Sequence, residues 1–128
     1  VTDVFLPNEV ELAAVAGSDD VVEALTSLEN GRTLTAAKLG AKGAAALVSG
    51  KLIECAPISV EPVDTTGAGD SFNAGFLHAW LRGESAETCL RAGVFTGGKS
   101  TESIGGTSGQ PDAITLGAYL RTTTVVAD

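Results

Sequence analysis

Residues 64–76 read DTTGAGDSFNAGF, a glycine-rich turn that runs directly into an apolar, helix-like segment. The spacing of Phe72 and Phe76 predicts a helix over 70–82. Glycines at the start of a helix allow several backbone N–H groups to point at one anion, and the helix dipole adds positive potential there. The stretch therefore predicts an anion-binding loop.

Asp70 gives this loop a chemical interpretation. A phosphoryl group in transfer spreads negative charge over its oxygens, so amides at Gly67, Ala68 and Gly69 could stabilise it. An aspartate in the same first turn can accept the proton of an attacking hydroxyl. The alternative is an ordinary strand–turn–helix joint, in which Asp70 only interacts favourably with the helix dipole.

The whole string, including Ala-Gly-Phe at 74–76, resembles the C-terminal signature of the ribokinase (PfkB-type carbohydrate kinase) family. The resemblance implies an α/β fold, with a three-layer αβα arrangement around a mostly parallel sheet that is incomplete in this chain. It implies that Asp70 deprotonates an acceptor hydroxyl, and that the backbone of Gly67, Ala68, Gly69 and Asp70 forms an anion hole. The expected reaction moves the γ-phosphate of ATP to a hydroxyl of a sugar-like molecule.

Asn8 and Glu11 form a second motif, which follows an apolar strand-like run and Pro7. Asparagine with glutamate three residues later is typical of a capping box at a helix start. The resemblance implies a second role, because the family has an Asn-x-x-Glu motif that influences magnesium and phosphate binding. The two interpretations are compatible, since a capped helix can still present the Glu11 carboxylate to hydrated magnesium.

Residues 38–43, KLGAKG, are consistent with a tight turn that carries solvated lysines. The resemblance implies that Lys38 and Gly40 contact the nucleotide. Many family members have threonine where Lys38 stands, and a lysine there could reach a phosphate as a point charge.

A second glycine-rich stretch, at 100–109, reads as a loop between two helices. Many members of the family bind a monovalent cation beside the anion hole, which makes potassium a candidate cofactor beside ATP and Mg²⁺. The resemblance also suggests that residues 93–97 help to line an adenine pocket. The positions implied near the cation are Asp64, Thr66, Ser100, Ser103, Gly105 and Gly109.

The remaining pattern alternates strand-like and helical segments, which favours a parallel sheet flanked by helices. A hairpin is expected where two strand-like runs flank Gly50. Helices are predicted over 9–16, 20–29, 86–100 and 111–120, strands over 4–6, 33–39, 44–49 and 52–56, and an extended segment over 60–63.

Composition narrows the class of protein. The formal net charge of −8 argues against a non-specific nucleic-acid binder. Cys55 and Cys89 are far apart and have no metal-like spacing, which is typical of reduced thiols in the cytoplasm. No apolar run approaches the ~20 residues of a membrane span, so no membrane partner is expected.

The 128 residues contain no methionine and begin at Val1, so we expect a piece of a longer protein. Residues 1–128 would be the C-terminal nucleotide-binding part of a ribokinase-like domain, without the N-terminal part that supplies the substrate site and lid. Alone it is expected to be inactive, and its partners would be a sugar-like substrate and either the missing half or a second copy. Two alternatives remain: a non-catalytic nucleotide-binding module, and a structural α/β domain whose loop binds nothing. The acceptor cannot be named from this sequence.

Overall fold

The computed structural model describes residues 3–102 and 111–126. Its chain divides into two compact units, Val1–Ala56 and Pro57–Asp128. The first unit contains β1 (Val4–Phe5), α1 (Glu9–Ala16), α2 (Val21–Leu28), β2 (Leu34–Lys38), a short 3₁₀ helix (Gly40–Lys42), β3 (Ala44–Val48) and β4 (Lys51–Cys55). The second contains α3 (Ala68–Leu81), α4 (Ala86–Ser100) and α5 (Ala113–Val126).

The four strands form one sheet in the order β1-β2-β3-β4. β1 and β2 are parallel, with Val4 opposite Leu34, whereas β2–β3 and β3–β4 are antiparallel. The α/β class is thus confirmed, but the expectation of a mostly parallel sheet needs correction, because the described strands form a mixed sheet. Short turns join β2, β3 and β4, and only the β1–β2 connection is long enough for a crossover through helices.

The core of the first unit lies between its two helices and its sheet. Leu12 of α1 and Leu25 of α2 are buried together with Ala24 and with two strand alanines, Ala37 and Ala45. Protein interiors are packed almost without voids, so large side chains need small neighbours. The strand alanines leave the room that the leucine side chains fill.

The second unit is built on a close contact between α3 and α4. An ideal Cβ placed on Gly75 of α3 would lie 2.5 Å from both the carbonyl oxygen of Ala92 and Oγ1 of Thr96. No side chain larger than hydrogen therefore fits at this position. α5 lies against α4, where the rings of Phe95 and Tyr119 stack with centroids 4.1 Å apart.

Most predicted elements are found with shifted ends. The hairpin around Gly50 is confirmed. α3 begins at Ala68, two residues before the predicted start, and α5 runs on to Val126, beyond the predicted end at 120. Residues 60–63, predicted to be extended, belong to no strand.

Cys55 and Cys89 form no disulfide bond. Cys89 is completely buried in α4, and this burial, with a smaller contribution from the charge of Glu84, raises the pKa of its thiol to about 11. Among the described residues, no helix combines the length and the apolar character needed to cross a membrane.

The Gly75 contact predicts the cost of a single methyl group. Gly75→Ala should lower the free energy of unfolding by about 1–3 kcal/mol, because the new Cβ would overlap backbone and side-chain atoms of α4. Gly117→Ala in α5 is the matched control, since its Cβ would meet only the flexible guanidinium of Arg121, at 3.3 Å. Urea denaturation should show a loss for Gly75→Ala and no loss for Gly117→Ala. Equal midpoints would contradict the close α3–α4 contact.

The buried thiol predicts a pH dependence of stability. Its folded-state pKa of about 11 lies above the ordinary value of 9.0, so its contribution is fully present below pH 9 and is lost as the pH rises towards 11. Relative to Cys89→Ala, the wild type should therefore lose about 1–2 kcal/mol of unfolding free energy between pH 8 and pH 10.5. Urea titrations of both proteins at the two pH values measure this difference. A constant difference would show that Cys89 does not titrate as expected.

Candidate active site

The glycine loop leads into α3 through Gly67, which adopts a left-handed conformation with φ 77° and ψ 4°. Other residues rarely adopt this conformation, so a glycine is required here. Within the described part of the chain, the N–H groups of Gly67, Gly69 and Asp70 have no hydrogen-bond acceptor, whereas Ala68 N–H donates to the Thr65 carbonyl oxygen at 3.2 Å. Three of the four predicted amides are thus available to an anion.

The start of α3 differs from those of the other four α-helices that the structure describes. Each of these has a side chain that accepts a hydrogen bond from a backbone N–H of its first turn, whereas Gly67 provides no such cap. A side-chain cap stabilises a helix by about 1 kcal/mol. Its absence leaves the first-turn donors of α3 open to an external acceptor. The four capping residues are Asn8, Asp20, Ser85 and Asp112.

Asp70 lies in the first turn of α3 and is exposed. Its backbone N–H is one of the available donors of the loop. The same residue thus combines an amide that can contact a phosphate with a carboxylate that can accept a proton.

Asp64 closes the other end of the loop. Its Oδ1 accepts a hydrogen bond from Thr66 N–H at 2.9 Å, and its own N–H donates to the Thr101 carbonyl oxygen at 2.9 Å. Ser100, which precedes Thr101, is buried, and its Oγ donates to the Gly97 carbonyl oxygen at 2.7 Å. Three residues of the predicted cation site thus belong to one connected region of the second unit. Ser103, Gly105 and Gly109 lie outside the described residues.

In the first unit, Asn8 and Glu11 form the predicted capping box. Asn8 N–H donates to Glu11 Oε1 at 2.9 Å, and Glu11 N–H donates to Asn8 Oδ1 at 2.8 Å. The capping interpretation is confirmed. Glu11 is exposed, and its second carboxylate oxygen takes no part in the box.

Lys38 and Gly40 lie beside this capping box. Asn8 and Lys38 form a parallel bridge at the carboxyl ends of β1 and β2, and Lys38 N–H donates to the Pro7 carbonyl oxygen at 2.8 Å. Gly40 follows two residues later with φ 60°. The structure therefore brings the four predicted nucleotide-site residues of the first unit to one end of its parallel strand pair.

One contact beside these residues was missed by the sequence analysis. Lys42 Nζ lies 3.5 Å from Glu9 Oε2, and the side chains of Lys42 and Glu9 are 74% and 42% exposed. Neither residue carries a sequence signal for this pair, because the two are 33 positions apart. An exposed pair of this kind contributes little to stability.

Gly93 and Gly97 bound the stretch that is expected to help line an adenine pocket, and in the structure both are buried against α3. An ideal Cβ on Gly93 would lie 2.8 Å from the Phe72 ring, and one on Gly97 would lie 3.3 Å from Phe72 Cβ. These two glycines therefore serve the packing of α3 on α4.

The described residues contain no cluster of three or more His, Cys, Asp or Glu side chains that could hold a metal ion. They do not form an all-protein cage for Mg²⁺. The exposed carboxylate of Glu11 is compatible with a different kind of magnesium site, in which the ion keeps most of its waters and is bound mainly by substrate phosphates.

Comparison with known proteins places these features in a family. The profile of the "pfkB family carbohydrate kinase" matches residues 1–113. An uncharacterized sugar kinase from Archaeoglobus fulgidus is 38% identical over 113 residues, which are 88% of this chain and 45% of that protein. The chain thus spans less than half the length of this relative.

Two solved structures show the same fold. Arabidopsis thaliana ribokinase complexed with ribose and ATP is 31% identical with a TM-score of 0.78, and the match covers 93% of this chain and 41% of that chain. A double mutant of Vibrio cholerae O395 fructokinase, with fructose, ADP and potassium ion bound, is 27% identical with a TM-score of 0.79, covering 92% and 40%. The chain belongs to the pfkB family of carbohydrate kinases.

Proposed function

We propose that residues 1–128 are the C-terminal, phosphate-handling part of an ATP-dependent kinase that phosphorylates a hydroxyl of a sugar-like molecule. The observation that carries this proposal is the uncapped start of α3, where the amides of Gly67, Gly69 and Asp70 are available beside the exposed Asp70 carboxylate. Membership of a carbohydrate kinase family supports it.

In the proposed reaction, Asp70 accepts the proton of the acceptor hydroxyl. A bond forms between the acceptor oxygen and the γ-phosphorus of ATP, and the bond from that phosphorus to the bridging oxygen breaks, so ADP leaves with the electron pair. The amides of Gly67, Ala68, Gly69 and Asp70 donate to the phosphoryl oxygens, and for Ala68 this requires its 3.2 Å bond to Thr65 to open.

In the first unit, Lys38 and Gly40 are assigned to the nucleotide, and Asn8 and Glu11 to magnesium and phosphate. Bound Mg²⁺ would neutralise phosphate charge. The Glu11 oxygen outside the capping box can accept hydrogen bonds from water in the ion's hydration shell. The backbone N–H of Asn8 holds the Glu11 side chain in place through its hydrogen bond to Oε1.

A monovalent cation is the third proposed cofactor, and potassium is the candidate because the related fructokinase structure contains it. The connected region of Asp64, Thr66 and Ser100 supports this assignment, since it offers the oxygen donors that hard cations prefer. Ser103, Gly105 and Gly109 complete the proposed set.

The proposed substrate class is supported by relatives that include a ribokinase bound to ribose and a fructokinase bound to fructose. The particular acceptor would be selected by residues beyond this chain, which spans less than half of its relatives. The active form would therefore pair these residues with the remaining half or with a second copy, and we assign it to the cytoplasm.

A second candidate function is a nucleotide-binding module without turnover. The same short coverage of the relatives favours it, because a chain that holds the phosphate site without an acceptor site binds nucleotide and transfers nothing. ATP turnover, measured with a panel of pentoses and hexoses, separates the two functions.

Asp70→Asn tests the assignment of the base. In the complete protein, kcat should fall by about 10²- to 10⁴-fold, because the amide cannot accept the proton, while the Kd for ADP stays within about threefold. Asp112→Asn is the charge-matched control: it removes one carboxylate, keeps a good capping residue on α5, and should leave kcat unchanged. Near-normal turnover by Asp70→Asn would refute the assignment.

Glu11→Gln separates the capping role of Glu11 from its proposed magnesium role. Glutamine preserves the acceptor for Asn8 N–H, so the unfolding free energy should change by less than about 0.5 kcal/mol, whereas Asn8→Ala should cost about 1 kcal/mol. Calorimetric titration should show weaker binding of Mg-ADP by Glu11→Gln and unchanged binding of ADP in EDTA. Equal weakening under both conditions would exclude a role through magnesium.

A further inference from the structure

The last turn of α4 holds the beginning of the glycine loop. The carbonyl oxygen of Thr101 accepts hydrogen bonds from the N–H groups of both Val63 and Asp64, at 2.6 and 2.9 Å. The last carbonyls of a helix have no partner within the helix. Here one such carbonyl fixes two consecutive residues at the point where the chain enters the loop.

The same turn also touches the end of the loop. An ideal Cβ on Gly97 would lie 3.0 Å from the carbonyl oxygen of Ala68 and 3.3 Å from Phe72 Cβ. Gly97 therefore allows the backbone of α4 to approach the first turn of α3, whose amides form the proposed anion hole. The buried Ser100 hydroxyl donates to the Gly97 carbonyl oxygen and fastens this turn of α4 from within.

From these two contacts we infer that residues 97–101, the positioning turn, set the geometry of the loop amides and of Asp70. Residues 63 and 64 are attached to the turn through hydrogen bonds, and Ala68 is attached through packing. Both ends of the loop are therefore held by the same helical turn. Gly97 and Thr101 act through the loop and are positioning residues. The ligand in this inference, a nucleotide phosphate, rests on the proposed function.

The neighbouring glycines show that the contact is specific to position 97. A Cβ on Gly98 would meet Ile58 Cγ1 and Cδ1 at 2.7 and 2.9 Å, which are atoms of a side chain that can rotate. A Cβ on Gly93 would meet only the Phe72 ring within about 3 Å. At Gly97 alone of these three, the nearest atom belongs to the loop-proximal backbone.

Gly97→Ala tests the inference, with Gly98→Ala as the matched control on the adjacent residue. Amide hydrogen exchange, followed by NMR at a temperature where every variant is folded, reports on the hydrogen-bonded amides of Ala68 and Ser71 in the first turn of α3. We expect Gly97→Ala to accelerate exchange there by about tenfold, with α1 as the internal reference, and Gly98→Ala to change it by less than about twofold. Unchanged exchange in Gly97→Ala, or equal acceleration in both variants, would overturn the inference.

Binding of ADP to the same proteins adds the functional readout. If wild type binds ADP, Gly97→Ala should raise the Kd by about tenfold and Gly98→Ala by less than about twofold; equal Kd values in the two variants would overturn the inference. If wild type binds no ADP, that result concerns the proposed function, or its need for the remaining half or a second copy, and the exchange comparison alone decides the inference about the positioning turn.

A measurement on wild type covers the case in which Gly97→Ala does not fold. The denaturant dependence of exchange identifies residues that open together. The amides of Val63 and Asp64 should open with those of Thr101 and Glu102. Opening of Val63 and Asp64 at a clearly lower free energy, while the end of α4 stays closed, would overturn the inference.

Discussion

The close approach of α3 to α4 is the constraint on which the second unit depends. This close approach is possible because Gly75 and Gly97 have no side chain. A Cβ at either position would overlap the facing helix or crowd it. Interiors packed at this density transmit small displacements instead of absorbing them. The position of the first turn of α3 is consequently determined by α4, and so is the position of the amides of Gly67–Asp70.

The first unit reaches its geometry by a different route, through local hydrogen bonds at the carboxyl ends of parallel strands. The Asn8–Glu11 box fixes the start of α1, and the bridge between Asn8 and Lys38 fixes Asn8 against β2. Asn8, Glu11 and Lys38, which make these contacts, are also residues proposed to bind magnesium, phosphate or nucleotide. Stability and proposed function therefore use the same side chain, that of Glu11, and only a substitution that keeps the cap can separate them.

The parts of this protein that could be predicted from sequence are those fixed over three or four residues. The capping box of Asn8 and Glu11, the hairpin at Gly50 and the helix behind Asp70 all depend on near neighbours. The pair formed by Glu9 and Lys42 and the double hydrogen bond to Thr101 join residues that are distant in the sequence, so no local pattern predicts them. The antiparallel pairing of β2 with β3 joins near neighbours, but the alternation of strand-like and helical segments favoured a parallel sheet instead. The roles of the predicted site residues remain predictions, since they concern ligands rather than the fold.

At the start of α3, which has no side-chain cap, the requirements of stability and of the proposed function differ. Selection for stability alone would favour Ser, Asp or Asn before α3, as at the other described α-helices, because such a cap stabilises a helix by about 1 kcal/mol. A side-chain cap would, however, occupy a first-turn amide, and a residue with a Cβ would strain the left-handed conformation of Gly67. Leaving the donors open costs stability in the ligand-free chain, and under the proposed function an anion takes the place of the cap. The positioning turn then has a clear physical purpose: without a cap, the geometry of the loop must be held from α4.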